Sequence, residues 1–285
     1  MNKFLQYASL VKFSHTIFAM PFALIGYFYA IKYSQMGFEW SVFVKILLAM
    51  VFARNSAMGF NRLVDRVIDA KNPRTASREI PSGKISIAKA KVFVFCNVVL
   101  FILTSFWLNN LCGMLSPVAL IVILGYSYTK RFTALCHLVL GLGLGIAPIG
   151  AFMAVTGELN DFCLLLGALV ATWTAGFDVI YALQDRDFDR AEGLHSIPSK
   201  FSVRGALYIS IVLHVLSLVA VYFIGSLFLP YIIYYIGAGL FALVLVVQHI
   251  LARESRLDKI GSGFALINGM ASIVFAGFVI AALFF

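Results

Sequence analysis

The sequence predicts an all-α, polytopic membrane protein of about nine transmembrane helices with its N-terminus in the cytoplasm. Three observations carry that expectation. Hydrophobic residues fill 61% of the 285 positions and charged residues only 12%, whereas a soluble domain holds about 45–50% apolar and about 25% charged residues. A soluble core has no room for this excess, but a bilayer accepts it because apolar side chains there point outward. The apolar residues also fall in a series of long runs, and the basic residues gather on one side of them.

The runs lie near 14–33, 42–61, 92–108, 111–129, 134–155, 162–182, 205–225, 231–250 and 261–283. Each approaches the roughly 17–25 residues that cross the hydrocarbon as a helix. Helix is also the form in which a lipid-exposed backbone satisfies its own polar groups. The first run is too long for a secretory signal and lacks a small-residue cleavage site, so it is read as a span. In the fifth, Gly141-Leu142-Gly143-Leu144-Gly145 reads as a close helix contact rather than a phosphate cradle. Because the series is unbroken, residues 1–285 are read as one membrane domain. Cys96, Cys112, Cys136 and Cys163 are scattered among apolar neighbours with no CxxC pair. They read as small buried hydrophobes rather than disulfide partners or metal ligands.

Nine spans make the connections alternate sides. One side collects Lys3 and Lys12, nine basic residues in 54–91, Lys130 and Arg131, four in 186–204 and three in 253–259. That side holds 20 of the 22 Lys and Arg, and the other holds only Lys32 and Lys45. Cytoplasmic loops carry such an excess. The N-terminus and the long loops are therefore placed in the cytoplasm, as for a protein of the bacterial inner membrane. The net charge of +9 has the same cause and implies no nucleic-acid partner.

Two connections, 62–91 and 183–204, are long and polar, and both follow spans that run inward. Each opens on carboxylates. Asn61, Asp65 and Asp69 recur every four residues along one helical face. At the end of the sixth span, Asp178 and Asp185 are seven apart, and Asp189 follows four later. Like charges at this spacing repel, so a cation is expected between them. Magnesium fits, since it prefers carboxylate oxygen and is usually held by one or two carboxylates together with substrate phosphates. Two such clusters on one cavity would hold magnesium and a diphosphate. Asp178 lies deeper in the membrane, where a carboxylate is costly and usually functional. Basic residues stand beside both clusters: Lys71, Arg74, Arg78 and Lys84 after the first, and Arg186, Arg190 and Lys200 after the second. Guanidinium forks suit phosphate oxygens. Arg54 sits inside the second span, seven residues before Asn61, and is expected to line a polar cavity.

These residues resemble the UbiA superfamily of membrane prenyltransferases. Asn61-x3-Asp65-x3-Asp69, with Asn72 to Gly83 behind it, looks like that family's NxxxDxxxD and RTxxRPLxxG segments. Tyr181 to Asp189 is similar to its YAxxDxxxD motif, and Tyr126 to Arg131 to its YxxxKR segment. Lys12 to Pro21 resembles the first-span entry of the 4-hydroxybenzoate branch. The match departs at Arg62, where many members have Asp, and at Glu79, where Pro is usual. The resemblance implies a helical bundle around a central cavity open to lipid. It implies transfer of a polyprenyl chain from its diphosphate to an aromatic acid such as 4-hydroxybenzoate, with magnesium as cofactor, in respiratory quinone biosynthesis. Membrane lipid is expected around the reaction, and no required protein partner is inferred.

Metal ligation is then expected from Asn61, Asp65, Asp69, Asp185 and Asp189, with Asp65, Asp185, Asn61 and Tyr181 closest to the chemistry. Arg74, Arg78 and Lys130 would meet the diphosphate, Asp178 and Tyr126 the substrates, and Arg54 and Lys12 the acceptor's carboxylate. Phe60, Tyr126, Tyr128 and Tyr181 are candidates to steady an allylic cation, and His15 is a candidate assistant. A dihydroxynaphthoate or haem acceptor stays open. A secondary transporter binds ions near the membrane midplane, and the location of these clusters at helix ends argues against one.

Overall fold

The structure is a computed structural model that describes residues 3–11, 19–252 and 262–285. Among the described residues every regular element is helical. A short helix α1 (Lys3–Leu10) precedes α2 (Met20–Ser34), α3 (Trp40–Lys71), α4 (Ile87–Leu108), α5 (Asn110–Thr129), α6 (Cys136–Thr156) and α7 (Asp161–Ala182). A 3-10 turn (Leu183–Asp185) leads to two short helices, α8 (Arg186–Ala191) and α9 (Ile197–Lys200). Then follow α10 (Val203–Phe228), α11 (Ile232–Leu251) and α12 (Ser262–Leu283). Among the described residues eight helices are long and apolar enough to cross a membrane. The 15 described residues of α2 are fewer than those eight require, but α2 packs in the same bundle against α6 and α12.

The helices form a closed arrangement in which α3 pairs with α4, α5 leans on α4 and α6, α7 lies between α6 and α10, and α11–α12 returns to α2. The main core gathers around Trp173 of α7, with Phe22, Phe241 and Phe275 packed about it. Large apolar side chains such as Phe95, Ile121 and Ile232 are exposed on the outside, a surface that belongs in hydrocarbon rather than water. The protein is an integral, multi-pass membrane protein.

The glycine run in α6 is a packing device. A Cβ on Gly141 would stand 2.1 Å from the Ala171 carbonyl oxygen of α7, and one on Gly145 would stand 2.6 Å from that of Gly167. Small residues of this kind let two membrane helices approach backbone to backbone. Gly141→Ala is expected to lower the thermal midpoint in detergent, at a cost of about 1–3 kcal/mol for overpacking. Gly150→Ala, where a Cβ meets open space, is the control. Equal midpoints for the two variants would refute the close contact.

Of the four cysteines, only Cys163 is buried; Cys112 and Cys136 are half-buried, and Cys96 is exposed. The expectation of four buried thiols is corrected, because apolar flanks mark a lipid-facing position as readily as a packed one. All four are free thiols.

Candidate active site

At 32 residues α3 is about 48 Å long, well beyond the roughly 30 Å of hydrocarbon. Its last third therefore projects past the apolar layer, and that third carries Asn61, Asp65 and Asp69. Pro73 stops the helix: the residue before a proline is pushed out of the helical region, and Asn72 is extended at φ −85° and ψ 119°. The chain then turns across the open end of the bundle toward α7.

That crossing brings the two acidic clusters together. Arg74 donates from Nε to Asp185 Oδ1 at 2.9 Å and from Nη2 to Oδ2, and Asn72 Nδ2 donates to the same Oδ1 at 3.2 Å. Burial disfavours the Arg74 charge, but the hydrogen bonds and charge of Asp185 outweigh it and hold this guanidinium above its ordinary pKa. Arg78 Nη1 lies 2.6 Å from Asp69 Oδ1. Asp65 is 2% exposed and receives three donors: Lys130 Nζ at 2.7 Å, Arg131 Nη2 at 3.1 Å and Asn61 Nδ2 at 3.0 Å. Asp189 accepts from Ser196 Oγ at 2.9 Å, and the same hydroxyl caps α9. The repulsion expected within the clusters is thus answered by Arg and Lys from two connections, α3–α4 and α5–α6, and at Asp189 by a serine hydroxyl.

Below the clusters lies a cavity of about 470 Å³ between α3, α4, α5 and α6. Arg54 and Tyr126 reach its wall, which otherwise consists mostly of residues such as Ala53, Met58, Leu144 and Ile149. The polar cavity expected around Arg54 is corrected to an apolar one with few polar groups. Tyr126 lies within electrostatic range of both Asp65 and Asp178, so the cavity's polar end meets the carboxylates.

Among the described residues no three His, Cys, Asp or Glu side chains converge as a metal site. The donor set still suits magnesium, which commonly takes one or two carboxylates and completes its shell with phosphate and water. Asp69 Oδ2 is buried without a hydrogen-bond partner, a hard oxygen with spare lone pairs.

The sequence model of the UbiA prenyltransferase family matches residues 19–283. The chain belongs to this family. A relative from Aliivibrio fischeri (strain MJ11), a 4-hydroxybenzoate octaprenyltransferase, is 32% identical over 238 residues, covering 83% of this chain and 82% of its own. Another from Photobacterium profundum, of the same name, is 34% identical over 244 residues, covering 84% and 83%. Among solved structures, the apo form of a UbiA homolog from Aeropyrum pernix K1 superposes with a TM-score of 0.83 at 31% identity, covering 94% of this chain and 98% of that one. A UbiA homolog from Archaeoglobus fulgidus, bound to GPP and Mg2+, has a TM-score of 0.77 at 18% identity, covering 98% and 100%. That last likeness speaks for the fold alone.

Within the family framework, most expected site residues meet. Asn61, Asp65, Asp69, Arg74, Arg78, Lys130, Asp185 and Tyr181 share one region, with Arg74 stacked 5.8 Å above the Tyr181 ring. Tyr128 is a correction: it is exposed, with Arg131 over its ring at 5.5 Å and Phe60 edge-on at 5.8 Å, so neither aromatic lines the cavity. Lys12 and His15 lie outside the described residues. Sequence reading missed His137, although an ionisable residue at the start of an apolar span was itself a signal.

Proposed function

We propose that this protein transfers a polyprenyl chain from an allylic diphosphate to an aromatic acid of the 4-hydroxybenzoate type, in respiratory quinone biosynthesis, on the cytoplasmic face of the bacterial inner membrane. The observation that carries the reading is the junction of an apolar cavity of about 470 Å³ with a buried carboxylate and cation cluster. An isoprenoid diphosphate has this shape: an insoluble tail and a highly charged head. The curated relatives from Aliivibrio and Photobacterium carry the name of this activity.

Asn61, Asp65, Asp69, Asp185 and Asp189 would hold magnesium, which when bound neutralises the diphosphate and makes it a better leaving group. Lys130, Arg131, Arg74 and Arg78 already stand at these carboxylates and supply hydrogen bonds to phosphate oxygens. Tyr126 and Tyr181 offer aromatic faces to an allylic cation. Arg54, with Lys12, holds the acceptor's carboxylate so that a ring carbon faces the tail. The apolar wall excludes water, which would otherwise capture the cation.

The test is an assay of purified protein in lipid with a polyprenyl diphosphate and a panel of aromatic acids that includes a dihydroxynaphthoate. Product is expected from 4-hydroxybenzoate, none in excess chelator, and recovery on adding magnesium. Full activity in chelator would overturn the metal assignment, and product only from the naphthoate would move the acceptor assignment.

A further inference from the structure

Among the described residues Asp65, Asp69 and Asp185 each meet an Arg or Lys, and Asp189 meets the Ser196 hydroxyl, whereas Asp178 has a histidine as its partner. Asp178 stands one turn before Tyr181 on α7, on the same face. Its partner is His137, in the first turn of α6, whose Nδ1 lies 2.6 Å from Asp178 Oδ2. The other ring nitrogen, Nε2, accepts the backbone N–H of Ile197 at 3.3 Å. An amide donor at Nε2 leaves the proton of a neutral imidazole on Nδ1, so His137 donates to Asp178. The His137 side chain is 4% exposed and that of Asp178 is 26% exposed. Oδ2 is thus fixed, while part of the Asp178 side chain stays exposed. Tyr126, which lines the cavity, is within electrostatic range of Asp178.

We propose that Asp178 takes the proton released from the acceptor ring and that His137 is the positioning residue that aims it. The inference rests on the proposed aromatic transfer. In that reaction the C–O bond to the diphosphate breaks and its electron pair leaves with the diphosphate. A π pair of the ring forms the new C–C bond. The C–H bond at that ring carbon then breaks, its pair restores the aromatic ring, and its proton passes to Asp178 Oδ1. Asp65, Asp69 and Asp185 are held by Lys130, Arg131, Arg78 and Arg74, and Asp189 by the Ser196 hydroxyl, whereas Asp178 is aimed by an imidazole and keeps part of its side chain exposed. A fixed carboxylate is an effective base only if geometry is kept, and His137 anchors that geometry to α9 through Ile197.

Two substitutions separate the two ends of the imidazole. His137→Asn keeps a donor N–H where Nδ1 stood and loses contact with Ile197. His137→Gln keeps an acceptor where Nε2 stood and loses the donor to Asp178. Each is assayed with an acceptor deuterated at the carbon that receives the tail. Wild type is expected to show little isotope effect, and His137→Asn, which keeps the donor to Asp178 but not the tie to Ile197, is expected to lose less in kcat than His137→Gln. His137→Gln is expected to lose roughly tenfold or more in kcat, and Asp178→Asn roughly a hundredfold or more. Both are expected to keep KM for each substrate and to gain a primary isotope effect, because proton loss becomes slow. A purely structural His137 would give the reverse order, with His137→Asn impaired and no isotope effect in any variant, and that result overturns the proposal. Wild type that makes no product from any aromatic acid would overturn the proposed function and this inference with it. Product from wild type with no isotope effect in Asp178→Asn overturns the inference alone.

Discussion

Asp65→Asn and Asp185→Asn are each expected to cut turnover by about 10²–10³-fold, the scale of losing one group that stabilises developing charge, while acceptor affinity changes little. The two carboxylates come from different helices, yet both meet cations at one end of the bundle: Asp65 with Lys130 and Arg131, Asp185 with Arg74. Charge at this point matters most as the diphosphate departs, so the loss belongs in kcat rather than in KM for the aromatic acid. Asp65 is also structural, since it is buried and an amide in its place leaves the partly exposed Lys130 and Arg131 without their counter-ion. A thermal midpoint measured on each variant separates loss of fold from loss of chemistry. Asp185→Asn is the cleaner case, because its side chain is 20% exposed against 3% for Asp65. If the two act as one unit, the double variant should fall little below either single one. An acceptor KM that rises as far as kcat falls would place the clusters at the aromatic acid instead.

The sequence made the helices legible because bilayer crossing is a matter of local length and composition. It made Asn61, Asp65 and Asp69 legible because a spacing of four on an uninterrupted helix is a local fact, and α3 runs on through all three. The second cluster was less so. Its spacing assumed a continuous helix, but α7 tightens into a 3-10 turn over Leu183–Asp185, with three residues per turn instead of 3.6, so Asp185 and Asp189 turn off the Asp178 stripe. Arg74 recovers the arrangement by reaching Asp185 across 111 residues of chain. Contacts of that range leave no trace in spacing, which is also why His137 and its partner 41 residues away went unseen. Which face of a span is buried was equally hidden. Lipid and protein interior are both apolar, so the periodicity that marks the inner face of a soluble helix is weak in a membrane helix. Cys96 and Tyr128 were misplaced for that reason.

Arg54→Ala is expected to raise the aromatic acid's apparent KM more than tenfold while the KM for the polyprenyl diphosphate stays nearly constant. Arg54 lies in the membrane-embedded part of α3, two helical turns before Asn61, and lines the apolar cavity together with Tyr126. A guanidinium at that depth is costly, and an acidic ring lying in the cavity gives it a planar, bidentate partner. Losing one member of a desolvated charge pair typically costs about 2–5 kcal/mol, which is about 30-fold to several thousandfold in affinity. The same variant should discriminate less between a phenol carboxylic acid and the parent phenol, because the lost contact is to the carboxylate alone. Arg54→Lys should recover charge but not the fork, and so only part of the discrimination. The opposing result is equally clear. If Arg54→Ala leaves the acceptor KM unchanged and weakens the diphosphate instead, Arg54 belongs with Arg74 and Arg78 around the phosphates. The tail would then enter the cavity head-inward, with the acceptor meeting it from the side of α7.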